Sequence, residues 1–241
     1  MIHGWGADHR YFEYQLEAFK DYKLIIPDLQ GFGSSSTSPV VAKKFSIPEQ
    51  AELIYQLARS QNIESAVIVG HSMGGMVAQE LALSHPEFVS GLVLEGTSSG
   101  LKSHWRSSIL SMLGPLIYLA VKPMRVFLAK RWAISNTYAS ETVKGLITEY
   151  ASVTCCKVLV RYVKAMRKWS SLDRLHNIVI PCLIVHGSED RLLGKVHTTL
   201  LQSNLQNART IEMERSGHTP HLEIPEIFNG ELKKYLKAIN W

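Results

Sequence analysis

The chain has 241 residues, of which 46% are hydrophobic and 20% are charged, and its formal net charge is +5. This length suits one α/β domain with an insertion, and the absence of repeats and low-complexity tracts argues against solenoid and disordered classes. The basic residues form no recognisable nucleic-acid-binding module, so we expect no nucleic-acid partner.

Cysteine usage and the start of the chain bear on location. There are three cysteines, of which Cys155 and Cys156 are neighbours and Cys182 lies in a predicted core strand. No disulfide framework follows from these positions, which fits a reducing cytosol. The first residues carry glycine, histidine and charge and do not resemble a secretory signal. A cytoplasmic protein is therefore predicted.

The first motif along the chain is His3-Gly4-Trp5-Gly6, a small flexible turn. Such a turn can aim a backbone N–H at an oxygen that becomes negative during acyl transfer. Losing one donor of this kind lowers turnover by ~100- to 1,000-fold. We predict that the backbone N–H groups of Trp5 and Met73 form an oxyanion hole. Further along, Lys23-Leu24-Ile25-Ile26 is predicted to be a strand that ends at Pro27.

A serine lies at the junction of a predicted strand and a predicted helix. Gly70-His71-Ser72-Met73-Gly74-Gly75 follows the apolar run 66–69 and precedes the helix-like run 76–83. A strand that turns sharply into a helix lifts the side chain at the bend clear of the sheet, and the neighbouring glycines permit the turn. We therefore predict that Ser72 is a nucleophile, and that His71 packs or hydrogen-bonds locally.

Such a serine needs a base and a group that orients the base. The predicted strand 178–185 is followed by Asp190, our orienting acid, and the alternating strand 208–213 is followed by a polar turn that ends in His218, our general base. Glu95, which ends the apolar strand 92–94, is an alternative acid, and Glu189 is a weaker substitute. No His or Cys cluster has the spacing of zinc ligands, so we expect neither a metal nor a cofactor.

The order Ser72, Asp190, His218 belongs to the α/β-hydrolase arrangement and differs from that of other serine-triad folds. With the motifs above, the chain resembles the α/β-hydrolase superfamily, in its group of cap-bearing esterases, lipases, lactonases and carbon–carbon bond hydrolases. Two further segments are similar to family loops, 28–34 and 217–223. The alternation of short strands and helices predicts a mostly parallel sheet covered by helices on both faces.

Between Ser98 and Ser170 the strand pattern stops, and we interpret residues 98–170 as a helical cap inserted into a core formed by 1–97 and 171–241. From Leu101 to Ser170 there are 12 Lys or Arg and two acidic residues, a net charge of +10, against 14 basic and 19 acidic residues elsewhere, which is −5. The basic cap either attracts anionic substrates or a membrane surface, or consists of solvated helix faces. Its apolar residues are predicted to line an acyl-accepting cavity: Trp105, Leu113, Ile117 and Phe127.

One feature departs from the family pattern. Members normally have a β-hairpin and a third strand before the His-Gly motif, whereas only Met1 and Ile2 stand here. Two residues cannot contain three strands. We therefore expect a product that starts further upstream or a shortened form, with a gap inside the sheet beside Lys23-Leu24-Ile25-Ile26 that would leave this strand's backbone unpaired.

The predicted function is hydrolysis of an ester-type bond in a small hydrophobic or lipid-like substrate, through a Ser72-Asp190-His218 triad and an acyl-enzyme. Lactones, thioesters and vinylogous diketones remain open as substrates. The alternative is a truncated or non-catalytic member of the same fold that binds a small hydrophobic ligand.

Overall fold

The computed structural model describes residues 1–37, 45–101, 131, 138 and 141–241. Its centre is a sheet of four parallel strands in the order β1 (Ala66–His71), β2 (Val89–Glu95), β3 (Cys182–Gly187) and β4 (Ala208–Met213). The described α-helices are α1 (Glu13–Leu16), α2 (Ile47–Ser60), α3 (Met73–Ser84), α4 (Glu141–Val153), α5 (Cys156–Lys168), α6 (Lys195–Asn204), α7 (Pro220–Glu223) and α8 (Pro225–Ala238). Short 3₁₀ helices cover His9–Phe12, Gly33–Thr37 and Leu172–Asn177.

Alternate residues of the strands enter two hydrophobic cores on opposite faces of the sheet. Leu92 and Leu94 of β2 join the core that includes α2, α3 and α5, whereas Val93 joins Phe228 and Leu232 of α8 in the other. Successive side chains of a strand point to opposite faces, so a sheet with apolar residues at every position needs helices on both sides. The predicted fold class, a parallel sheet with helices on both faces, is confirmed.

The strand predicted over 178–185 begins later than expected. β3 runs from Cys182 to Gly187, and Ile178 instead follows the 3₁₀ helix Leu172–Asn177. Pro181 has no N–H to donate, so pairing with β4 starts at the next residue, where Cys182 N–H donates to Asn207 O at 2.8 Å. The strand predicted over 208–213 agrees with β4.

Residues 23–26 are not a strand in the structure, and they pair with no strand of the sheet, as expected for a segment beside a gap. Next to β1, Ile2 forms a parallel bridge with Gly70, in which Ile2 N–H donates to Val69 O at 2.7 Å. The Met1 nitrogen in turn donates to Ile25 O at 2.6 Å. Met1 and Ile2 thus lie between β1 and the 23–26 segment at the carboxyl end of the expected gap. One bridge is too short to bring 23–26 into register with the sheet.

The two ends of the 98–170 segment meet on the body of the protein. Gly100 and Ser170 form an antiparallel bridge, and Ser171 N–H donates to Ser99 O at 2.9 Å. The predicted cavity residues Trp105, Leu113, Ile117 and Phe127 lie outside the described residues. Within the described ranges, no helix combines the length and apolar character that a membrane crossing requires.

Candidate active site

Ser72 occupies the sharp turn between β1 and α3. Its backbone has φ +53° and ψ −118°, a conformation that costs a residue with a Cβ on the order of 1–3 kcal/mol. Ser72 N–H donates to Glu95 O at 2.9 Å, and the Thr97 hydroxyl donates to Ser72 O at 2.6 Å. These bonds to the end of β2 hold the strained turn and keep the serine side chain at the carboxyl edge of the sheet.

The sheet brings His218 and Asp190 to the same edge. Asp190 follows β3 and His218 follows β4, and both are buried. His218 Nε2 lies 3.0 Å from Ser72 Oγ, while His218 Nδ1 lies 2.8 Å from Asp190 Oδ2. Since an ionised carboxylate only accepts, Nδ1 carries the proton and Nε2 is free to accept from the serine hydroxyl. The three residues chosen from the sequence therefore form one hydrogen-bonded line.

The loop after β3 holds Asp190 independently of His218. Asp190 Oδ1 accepts the backbone N–H groups of Leu192 and Leu193 at 2.8 and 2.9 Å. Burial alone would raise the pKa of Asp190, but the charge of His218 and these hydrogen bonds lower it to about 2. Burial likewise opposes charge on His218, and Asp190, with Glu95 and Glu223 further away, outweighs it and raises the pKa of His218. The acid is ionised and poised to stabilise an imidazolium.

Of the predicted oxyanion-hole residues, Met73 follows Ser72 directly and Trp5 follows Gly4, whose backbone lies close to Ser72. Met73 begins α3, and amides of the first helical turn have no acceptor within their own helix. The loop that carries Trp5 also reaches the serine: a Cβ added to Gly4 would lie 3.1 Å from Ser72 Cβ and 2.9 Å from His71 Nδ1. The indole Nε1 of Trp5 donates to Leu159 O of α5 at 3.0 Å, which fixes the ring beneath the insertion.

Glu95, the alternative acid, contacts a different histidine. His221 Nδ1 lies 2.9 and 2.8 Å from the two carboxylate oxygens of Glu95, and its backbone N–H donates to Oε1 at 2.9 Å. Both side chains have no exposed surface. Asp190–His218 and Glu95–His221 are thus two buried acid–histidine pairs among the described residues, and of these two the pair with Asp190 includes the histidine that faces Ser72.

His71 packs between the two pairs. Its ring centroid lies 4.9 Å from those of His218 and His221, and its Nε2–H donates to the carbonyl oxygen of His218 at 2.9 Å. Burial, together with the charges of the neighbouring histidines, holds the pKa of His71 well below its usual range. His71 is therefore neutral and supports the backbone of His218, as the local-packing interpretation predicts.

Glu223 is a site residue to which the sequence analysis gave no role. Its carboxylate accepts the backbone N–H groups of Gly217 and Thr219, the residues on either side of His218. A signal was present: Thr219 precedes Pro220 at the start of α7, and an acidic residue in the same turn resembles a capping box. In the sequence, Glu223 is the last residue of the segment 217–223 that is similar to a family loop.

One group of described side chains has donor atoms close enough to share a metal ion, namely Asp8, His9 and Asp28. Its carboxylates already accept protein donors. Asp8 pairs with Arg10 at 2.7 Å, and Asp28 accepts His9 N–H at 2.7 Å and Ser34 N–H at 2.7 Å. Through these hydrogen bonds the cluster joins the loop after Trp5 to the 28–34 segment.

A cavity of about 480 Å³ lies between the start of α2 and the outer side of α5. Its lining includes the cations Arg161, Lys164 and Lys168, and the Arg161 guanidinium lies 4.9 Å from the centroid of Phe45. None of the triad residues lines it. It is a cationic surface cleft separate from the serine.

Comparison with known proteins finds a family match over most of the chain. Residues 1–225 match a family model described as the alpha/beta hydrolase fold. The chain is 28% identical over 97% of its length to "Putative carbamate hydrolase RutD" of Yersinia enterocolitica, of which it covers 84%. It is 27% identical over 95% of its length to the pimeloyl-[acyl-carrier protein] methyl ester esterase of the same species, of which it covers 89%.

Solved structures show the same fold. A thermophilic esterase from Thermogutta terrifontis, solved with malate bound, superposes with a TM-score of 0.86. The match covers 99% of this chain and 88% of the esterase at 20% sequence identity. The superposition supports the fold, but a sequence identity this low carries no information on the substrate.

Proposed function

Because this chain belongs to the α/β-hydrolase family, we propose that it is a serine hydrolase that cleaves an ester-type bond through an acyl-enzyme. The observation that carries the proposal is the continuous hydrogen-bonded line from Ser72 Oγ through His218 to Asp190, at 3.0 and 2.8 Å. A binding protein has no need for a buried, ionised acid behind a histidine that contacts a serine held in a strained turn.

In the proposed mechanism, Ser72 Oγ attacks the carbonyl carbon while His218 Nε2 takes the hydroxyl proton. Asp190 stabilises the resulting imidazolium, whose Nδ1–H it accepts. The oxyanion accepts hydrogen bonds from the backbone N–H groups of Trp5 and Met73. His218 then gives its proton to the leaving alcohol, and a water molecule, deprotonated by the same histidine, releases the acid from Ser72.

The proposed substrate is a small hydrophobic or lipid-like ester, with the 98–170 segment as its cap. Support comes from the apolar composition of that segment and from the named relatives, which are proposed or named to act on a carbamate and a methyl ester. In both substrates a carbonyl carbon is bonded to a heteroatom leaving group, and the same triad can attack that carbon.

The cap is further proposed to contact anionic membrane surfaces from the outer side of α5. Five cations lie exposed on this helix, which has no acidic residue, and none has a carboxylate within salt-bridge distance in the described part of the chain: Lys157, Arg161, Lys164, Arg167 and Lys168. Near an anionic surface each such charge contributes about 1 kcal/mol.

The test is covalent labelling with a fluorophosphonate probe, followed by peptide mass spectrometry and by hydrolysis of p-nitrophenyl esters of increasing chain length. We expect the label on Ser72, and Ser72→Ala to lose turnover by ~10⁶-fold. His218→Ala should slow labelling by a comparable factor, whereas Ser60→Ala, at the exposed end of α2, should behave as wild type. A folded protein that binds a hydrophobic ligand but neither labels nor turns over would favour the non-catalytic alternative.

A further inference from the structure

The carboxylate of Glu223 accepts four hydrogen bonds around the predicted base. Oε1 accepts the backbone N–H and the hydroxyl of Thr219, both at 2.9 Å. Oε2 accepts Gly217 N–H at 2.9 Å and Tyr138 N–H at 2.7 Å. The first three donors belong to the loop that carries His218, and the fourth belongs to the 98–170 segment. One side chain therefore touches both parts of the molecule.

The three loop contacts fix the backbone on both sides of His218. Gly217 and Thr219 are its chain neighbours, and the carbonyl of His218 itself accepts His71 Nε2–H. With the peptide groups before and after it held, the ring has little freedom to leave Ser72 Oγ, 3.0 Å away. Displacing a catalytic group by about 1 Å can cost on the order of 100-fold in rate. The hydrogen bonds of Glu223 therefore affect the rate of the chemical step through the position of His218.

The fourth hydrogen bond, from Tyr138 N–H, connects Glu223 to the insertion. Tyr138 lies three residues before α4, and α4 packs Val143 and Ile147 against Leu222, the residue next to Glu223. The same cluster contains residues of the loop that follows Trp5: Ala7, Tyr11 and Phe12. The described residues Tyr138, Val143 and Ile147 of the insertion thus lie against both loops of the site. The N–H of Tyr138 shares Oε2 with Gly217, so the insertion and the base loop meet at one oxygen atom.

We propose that Glu223 is a positioning residue that makes the alignment of His218 depend on the hydrogen bond from Tyr138 N–H of the insertion. The inference rests on the proposed function, because it concerns the base of the same triad. A carboxylate is required, since all four partners are donors and only an ionised group accepts from all of them without a competing donor of its own. With Gly217 N–H and Tyr138 N–H both donating, Oε2 is held from two sides.

The first test is Glu223→Gln, measured by kcat and KM on a p-nitrophenyl ester and by the rate of fluorophosphonate labelling. The amide keeps the size of the side chain but presents an NH₂ to two of the donors. We expect kcat and the labelling rate to fall 10- to 100-fold with KM within threefold of wild type. Glu226→Gln, an exposed residue at the start of α8 with no contact to the loop, is the matched control and should behave as wild type.

The second test isolates the insertion. Tyr138→Pro removes the N–H that reaches Glu223, and its effect is measured relative to Tyr138→Ala, which keeps the N–H. We expect a fall in kcat of about three- to tenfold for the proline variant in the wild-type background. In a Glu223→Ala background the same change should have no further effect, because both acceptor oxygens are then lost.

The outcomes separate the two proposals. If wild type labels at Ser72 and Glu223→Gln folds with unchanged kcat, the positioning role is wrong while the serine hydrolase proposal stands. Equal effects of Tyr138→Pro in both backgrounds would overturn the link to the insertion. If Glu223→Gln does not fold, Tyr138→Pro still decides, since an unchanged kcat there contradicts the link. Wild type that neither labels nor turns over removes both proposals together.

Discussion

Asp190→Asn is expected to lower kcat by about 10³- to 10⁴-fold with little change in KM. His218 Nδ1–H donates to Asp190 at 2.8 Å, and this bond selects the tautomer whose Nε2 faces Ser72. An asparagine offers an NH₂ donor as well as an oxygen, so it can hold the ring in the opposite tautomer, whose Nε2 carries a proton and accepts none. Ester hydrolysis and the rate of fluorophosphonate labelling both measure the loss.

The same substitution should reduce stability by an amount that depends on pH. The pKa of Asp190 is lowered from 3.8 to about 2, and each pKa unit corresponds to about 1.4 kcal/mol, so the carboxylate contributes roughly 2 kcal/mol at neutral pH. Because the folded pKa lies below the unfolded one, this contribution is complete above pH ~4 and is lost as the pH falls through about 2. Urea unfolding at pH 7 and at pH 3 measures the difference.

Glu95→Gln is the matched comparison. Glu95 is as deeply buried as Asp190, but it holds His221 and not His218. Its loss should lower stability by about 1–3 kcal/mol and reduce kcat less than tenfold. The reasoning would be refuted by the reverse pattern, in which Glu95→Gln abolishes turnover and Asp190→Asn retains most of it.

The remaining predictions concern pH, close packing and surface charge. The kcat/KM should rise with pH through a midpoint above about 6.5, because the base must be neutral to accept the serine proton. Burial opposes charge on His218, but Asp190 outweighs it and raises the pKa of this histidine. A midpoint below pH 6 would contradict this cause. Gly74→Ala places a methyl group against backbone carbonyls at the start of the chain, 2.6 Å from His3 O and nearer still to Ile2 O. We therefore expect kcat to fall at least tenfold and the urea midpoint of unfolding to decrease. A variant that behaves as wild type would show that this packing is looser than described. Charge reversal of three exposed lysines of α5 should abolish sedimentation with vesicles rich in phosphatidylglycerol, whereas the same change on α8 should not; equal binding by both would remove the membrane proposal. The two lysine sets are Lys157, Lys164, Lys168 and Lys233, Lys234, Lys237.

Much of the site follows from the chain itself. Parallel strands present their carboxyl ends at one edge of a sheet, so residues that follow β1, β3 and β4 are neighbours whatever their separation in sequence. This position predicts Ser72, Asp190 and His218, and His218 lies within hydrogen-bond distance of both Ser72 and Asp190. The alternation of apolar strands and helices likewise determines the layered architecture, because each strand must be covered on both faces.

The choice between two acids did not follow from the chain. Glu95 and Asp190 end neighbouring strands, and both stand within reach of a histidine. Only the path of the loop after β4 decides, since it turns His218 toward Asp190 and returns one helical turn later with His221 toward Glu95. Strand order determines which residues lie next to one another at the edge of the sheet. The direction of each histidine ring depends on loop dihedral angles that no local sequence pattern encodes.

The tertiary structure alone also decided how the loops are held together. Ile2 pairs with Gly70 through a single bridge beside the expected gap, and the 23–26 segment stays outside the sheet. Glu223 gathers donors from both sides of His218 and from Tyr138, which is 85 residues away in sequence. Strand and helix positions follow from periodic patterns of a few residues, whereas such contacts join residues that become neighbours only when the layers have packed.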